Sequence, residues 1–140
     1  MIRSWKLQSR IPRRHIEQSW GMRSSSGTSW KQFQSPALEH EEQWNVLKAW
    51  AIKQTKRKNY DISRWSMILH TIMYVPPHTD SMSKTTYVIP INVYNSTKLY
   101  EDCQEVPLKI GNIYSFNDFN THGIGNEHNA TLQLLTLEFE

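Results

Sequence analysis

The sequence predicts a mainly β domain led by one amphipathic helix, closing as a sandwich or partly closed barrel, and three observations carry that prediction. A helical pattern of apolar residues ends before Asn59. Short segments rich in β-branched and aromatic residues follow it through residue 139. Turn formers, among them Pro76-Pro77, Asn95-Ser96, Pro107 and Ile110-Gly111-Asn112, separate those segments at short intervals.

At 140 residues the chain has the size of one domain. Residues 1–35 read as a basic N-terminal extension: they lack sustained periodicity, and Ser24-Ser25-Ser26-Gly27-Thr28-Ser29 has the small polar character of a loop. Residues 36–140 then form the folded domain with its leading helix. Ser35 as N-cap and Pro36 at the first helical position open that helix, and Leu38, Trp44, Leu47, Trp50 and Ala51 give residues 37–55 an apolar stripe. Glutamates near its start and lysines near its end complement the helix dipole. Strands are expected at about 61–75, 85–94, 97–103, 112–117, 120–125 and 130–139. The helix packs on the resulting sheet.

Composition narrows the function classes. Six Trp, six Tyr and four Phe supply ample apolar surface for a core, which excludes wholesale disorder. The lone Cys103 excludes an internal disulfide and is expected as an inert packed thiol. With no long apolar run and no compact apolar leader, the expectation is a soluble, cytoplasmic protein with no membrane partner, virus-encoded or virion-associated origin being compatible with it. The net charge of +3 is uneven: residues 1–38 hold seven basic residues against Glu17 alone, so the remainder is acidic. That segment can serve an acidic partner such as nucleic acid, or an organellar transit function.

The chemistry concentrates in Tyr74-Val75-Pro76-Pro77-His78-Thr79-Asp80, where a strand is expected to end at a Pro-Pro turn and lead at once into His-x-Asp. Side chains at i and i+2 leave the same side of an extended backbone, so His78 and Asp80 can converge on one point. A third ligand is offered by His122, at the end of the stretch from Gly111 through Phe116-Asn117-Asp118-Phe119. Two imidazoles and one carboxylate on one face of an ion suit a non-haem iron(II) centre with open positions opposite.

On these motifs, residues 62–139 resemble the double-stranded β-helix of the iron(II)/2-oxoglutarate-dependent oxygenases, a jelly-roll or cupin-like fold. The G-x-x-x-x-F-N-D-F-x-x-H pattern from Gly111 to His122 is similar to aspartyl/asparaginyl β-hydroxylases and small phage or bacterial relatives. The full His-Thr-Asp looks more like prolyl-hydroxylase-type enzymes. The resemblance implies Fe(2+) held by His78, Asp80 and His122, 2-oxoglutarate as cosubstrate, and hydroxylation of a C–H bond. A protein or peptide side chain is the first substrate expected, with a nucleobase or small molecule behind it.

One departure bears on the cosubstrate. The family's last strand supplies an arginine for the distal carboxylate, whereas this chain has Thr131-Leu132-Gln133-Leu134-Leu135 and no Arg or Lys after Lys109. Gln133 is expected to point inward, and Lys98 is the first substitute cation, at a strand position where Jumonji-type relatives carry a lysine. Arg64 is the second. Tyr87 and Thr85 are expected to complete the carboxylate's hydrogen bonds, with Asn126 and His70 orienting from behind. The competing expectation is a catalytically degenerate barrel acting as a binding or virion structural protein.

Overall fold

The computed structural model describes residues 1–21, 25–26, 30–33, 41–58, 67–80, 84–128 and 130–139. Two antiparallel sheets pack face to face. The larger is built from β1 (Arg3–Lys6), β2 (Ser25–Ser26), β3 (Trp30–Phe33), β4 (Met67–Ile72), β6 (Thr85–Asn92), β9 (Asn112–Asn117) and β11 (Leu132–Phe139), in the order β1-β9-β6-β11-β4-β3-β2. The smaller holds β5 (Val75–His78), β7 (Lys98–Glu101), β8 (Gln104–Pro107) and β10 (His122–Gly125), in the order β5-β10-β7-β8. The described residues also form two helices, α1 (Arg13–Gly21) and α2 (Glu41–Gln54). No helix among the described residues is long and apolar enough to cross a membrane.

Alternation along the central strands creates two cores. Tyr87, Ile89, Leu135 and Leu137 point to one side of the large sheet, where they bury Trp44, Leu47 and Ala51 of α2 and Ile16 of α1. The α2 stripe at i, i+3 and i+7 is thereby fully buried, and each large apolar side chain so covered contributes about 1.5–3 kcal/mol. The intervening residues, Val88, Leu132 and Leu134, turn to the other side and meet Leu99 and Ile124 of the small sheet. The centre of the large sheet is therefore covered on both faces, and β4, β6, β9 and β11 each serve two compartments.

Several expected boundaries move for local reasons. The strand expected over 61–75 is β4 followed by β5 in the other sheet, while residues 61–66 lie outside the described residues, as do Ser35 and Pro36. Pro76 and Pro77 sit within β5 and make no turn; β5 is an edge strand, where a missing N–H costs no ladder bond. The strand expected over 97–103 is a hairpin, β7 and β8, turning at Asp102-Cys103 with Asp102 at φ 51°. Cys103 is exposed there, correcting the packed thiol expected for it. Within residues 1–35, β1 pairs with β9 from Arg3↔Ser115 to Lys6↔Asn112, and Trp5 Nε1 donates to the Gln54 carbonyl at 2.9 Å.

Candidate metal centre

His78 ends β5 and His122 begins β10, and the two strands pair with these residues opposite each other. Their ring centroids lie 4.3 Å apart. Close approach of the strands depends on Gly123, where a Cβ would stand 2.6 Å from the Val75 carbonyl oxygen and 3.1 Å from the Pro77 nitrogen. Asp80 lies two residues past His78, its amide donating to the Asp118 carbonyl at 3.1 Å, so the segment after β5 is tied to the loop before β10.

The ligand atoms of His78, Asp80 and His122 all lie within 4.8 Å of one another. Nδ1 of His78 donates to the Pro76 carbonyl at 2.9 Å, and Nδ1 of His122 donates to the Asn120 carbonyl at 2.8 Å. These bonds fix the tautomer that leaves Nε2 as the electron-pair donor on both rings. Both Nε2 atoms face Asp80, at 3.8 Å from Oδ1 for His78 and 3.5 Å from Oδ2 for His122. Such gaps are too long for hydrogen bonds and match the separation of donors around a shared cation. The donor set, the tautomers and the spacing fit a divalent metal.

Glu101 holds the His122 side of this arrangement. Buried opposite His122, it accepts from the Asn117 amide at 3.0 Å and the Asn120 side chain at 3.3 Å, while the Asp102 amide donates to the Thr121 carbonyl at 2.7 Å. Burial raises its carboxyl pKa, but the Met1 amino group at 2.5 Å and these amide donors outweigh it, leaving the group below its ordinary range. The loop from Asn117 to His122 is therefore anchored at both ends.

Behind the triad opens a cavity of about 410 Å³ between the sheets. Its apolar walls include Ile72, Val88, Leu99, Phe116, Ile124 and Leu134. Polar groups enter from the large sheet: His70 and Thr136 meet at 2.8 Å, and Thr86 donates to Asp118. Glu138 lies nearer the mouth, 3.8 Å from Lys84. Burial raises the pKa of Asp118, with the nearby Asp80 charge adding to it and the Thr86 bond opposing it. Burial likewise raises Glu138, reinforced by the charge of Asp118. No Lys or Arg lines the cavity among the described residues.

Of the described residues singled out in the sequence, the structure brings His78, Asp80 and His122 together, with His70 on the wall of the same cavity, and places Gln133, Tyr87, Thr85, Lys98 and Asn126 outside it. Gln133 is corrected: it shares a phase with Leu135 and Leu137, but that phase faces the helices, and its amide oxygen accepts from Asn92 beside α1. Tyr87 and Thr85 are corrected for the same reason, both lying outside the cavity. Lys98 points along the β7–β8 hairpin to Glu105 at 2.9 Å, and that partner raises its pKa. Arg64 lies outside the described residues. Asn126 holds the connection before β11 by donating to the Met73 and Ala130 carbonyls, whereas His70 does line the cavity. The sequence reading missed Thr86, Asp118, Thr136 and Glu138. Asp118 stood inside the motif that leads to His122, and the other three needed only the opposite strand phase.

No protein-family model matches the sequence, and no curated protein matches it. Solved structures do. A protein described as an oxidoreductase of the 2OG-Fe(II) oxygenase family, from Burkholderia pseudomallei, matches with TM-score 0.65 at 9% identity, over 97% of this chain and 82% of that one. A predicted oxalate decarboxylase from Thermotoga maritima matches with TM-score 0.51 at 12% identity, over 85% of this chain and 94% of that one. At these identities the likeness establishes the fold, a jelly-roll of the cupin type.

Proposed function

We propose that this chain is a non-haem iron(II) oxygenase that hydroxylates a C–H bond, with His78, Asp80 and His122 as the metal ligands. The observation that carries the reading is the pair of Nε2 atoms turned onto one carboxylate by Nδ1 bonds to backbone carbonyls. Iron(II) bound there would supply open positions for oxygen and for a chelating acid such as 2-oxoglutarate. The chain's own part is to hold the ligand rings in one orientation, to keep water from the site with the walls around Val88, Leu99 and Leu134, and to admit substrate past the mouth. Asp80 is 46% exposed, so a protein or peptide side chain, or a small molecule, can reach the centre from outside.

The neighbour's description supports 2-oxoglutarate as cosubstrate. A second reading, a barrel retained as a binding or structural module, is favoured by one observation: the cavity wall presents Asp118 and Glu138 where a dicarboxylate would need a cation. Anaerobic titration with iron(II), followed by 2-oxoglutarate, separates the two. The oxygenase reading expects stoichiometric iron binding and then the weak visible charge-transfer band of the chelate. Asp80→Ala and His122→Ala should abolish both with unchanged circular dichroism. Iron binding without the band removes 2-oxoglutarate and keeps the metal centre. Failure to bind iron at all moves the binding module ahead.

A further inference from the structure

A second concave surface lies on the opposite side of the large sheet, at the same end of the barrel as the metal centre. It measures about 480 Å³ and brings together Arg3 from β1 with Lys56 and Arg57 from the end of α2, around the rings of Trp5 and Tyr87. Phe116 borders both this groove and the metal cavity. No Asp or Glu lines the groove among the described residues. The carboxylate of Glu101, which meets the Met1 amino group at its rim, is already engaged with the Asn117 and Asn120 amides.

The cations are held in place. Lys56 Nζ sits 5.4 Å from the Trp5 ring centroid and the Arg3 guanidinium 6.0 Å from it. Arg57 lies 4.4 Å over the Phe139 ring, and one of its nitrogens donates to the Tyr87 hydroxyl at 3.4 Å. Trp5 is itself fixed by its bond to the Gln54 carbonyl. Like charges gathered without a carboxylate among them repel one another, and an anion would relieve that repulsion.

Lys56 adds an independent observation. It stands just past α2 with φ 60°, the left-handed conformation in which glycine ends helices without strain. A lysine there carries a conformational cost that a glycine would not. Its side chain lines the groove.

We infer that this groove binds the phosphate backbone of single-stranded nucleic acid. A group of cations set among aromatic rings suits a linear polyanion with bases that can stack better than one compact phosphate. The inference does not depend on the metal centre.

The test is fluorescence anisotropy of a labelled oligothymidylate of about twenty nucleotides, longer than the roughly 4–16 nucleotides that small single-strand sites occupy. Three phosphate contacts predict a slope of log affinity against log salt near −2, at about 0.7 per contact. Arg3→Ala and Arg57→Ala should each make the slope shallower by roughly 0.7–1. Lys56→Gly is the sharper variant, because it relieves the backbone: it should melt higher than the parent while losing the same share of slope. Binding and slope unchanged in a variant that combines Arg3→Ala, Lys56→Gly and Arg57→Ala, at unchanged circular dichroism, would overturn the assignment. So would a Lys56→Gly protein that melts lower and binds equally well, for Lys56 would then serve only the helix end. Saturation by pyrophosphate with no gain from chain length would replace the strand by a small phosphorylated ligand. Equal or tighter binding of duplex would likewise reject the single-strand class.

Discussion

The two faces of β6 and β11 are one residue apart along the chain and belong to different parts of the molecule. Ile89, Leu135 and Leu137 are walled in by the helices, Tyr87 packs beside them with an edge on the basic groove, and none of the four meets the metal cavity. Thr86, Val88, Leu134, Thr136 and Glu138 face the small sheet and line the cavity that ends at the triad. One face is dry core and the other is partly polar, with two carboxylates and a histidine-threonine pair set among aliphatic walls. The metal ligands come from the small sheet and its adjoining loop, while the chemistry of the opposite wall is chosen by the phase of strands in the large one. Stability and site character are therefore separable within single strands.

The largest expected separation is at Leu135. Fully buried against the helices, it should cost about 2–5 kcal/mol of unfolding free energy on replacement by alanine, read from urea denaturation. Iron affinity of the folded protein should stay at the parent's value. A parallel fall in metal affinity would mean that the two faces are coupled through the sheet and that the comparison fails.

Next in size is a pair of glycines on β10. Gly123→Ala places its Cβ against the backbone of β5, which cannot swing aside as a side chain can, so overpacking should cost about 1–3 kcal/mol and weaken metal binding by displacing His78. Gly125→Ala meets the tip of the Tyr100 side chain at 2.6 Å, and that ring can rotate away. It should change metal affinity little. Equal effects of the two substitutions would show that β5 and β10 can part without disturbing the ligands.

Thr136→Val tests the cavity face and Tyr87→Phe the helix face. Loss of the bond between Thr136 and His70 should cost about 0.5–1.5 kcal/mol, and any acid bound in the cavity should bind less tightly. Tyr87→Phe removes a hydroxyl on the far side of the sheet and should leave that binding unchanged. The reverse result would restore the role first expected for Tyr87.

What the sequence made legible follows the range of each signal. His-x-Asp is local: two residues on extended chain share a side whatever the sheet does later, so the convergence of His78 and Asp80 was readable without topology. His122 was readable from its motif. The alternation of β11 was visible too, yet alternation has two solutions, and choosing between them requires knowing which face the helices cover. In a sheet buried on both sides, both phases carry leucines, and the usual apolar-in, polar-out guide gives no answer. Gln133 shows this: its phase with Leu135 and Leu137 is legible, but the side that phase faces is not. The prolines of β5 misled differently, since their tolerance depends on an edge position that only strand order reveals.

The smallest expected effect concerns Glu138, and it tests whether the cavity wall is electrostatically unfavourable before any metal binds. Burial, then the charges of Asp118 and Asp80, raise its pKa above the ordinary 4.5, while Lys84 at 3.8 Å and His122 offset part of the rise. Between that ordinary value and the raised one, the folded protein keeps a proton that the unfolded chain has released. Stability therefore falls as pH rises through this window and stays lower above it. Glu138→Gln removes the titration, so the metal-free variant should melt about 1 °C above the parent at neutral pH and coincide with it below the carboxylate range. Thermal melts across that range check the sign. A variant that melts lower at neutral pH, by an amount that salt abolishes, would mean that the Lys84 pair outweighs burial and that this wall is held by its own cation.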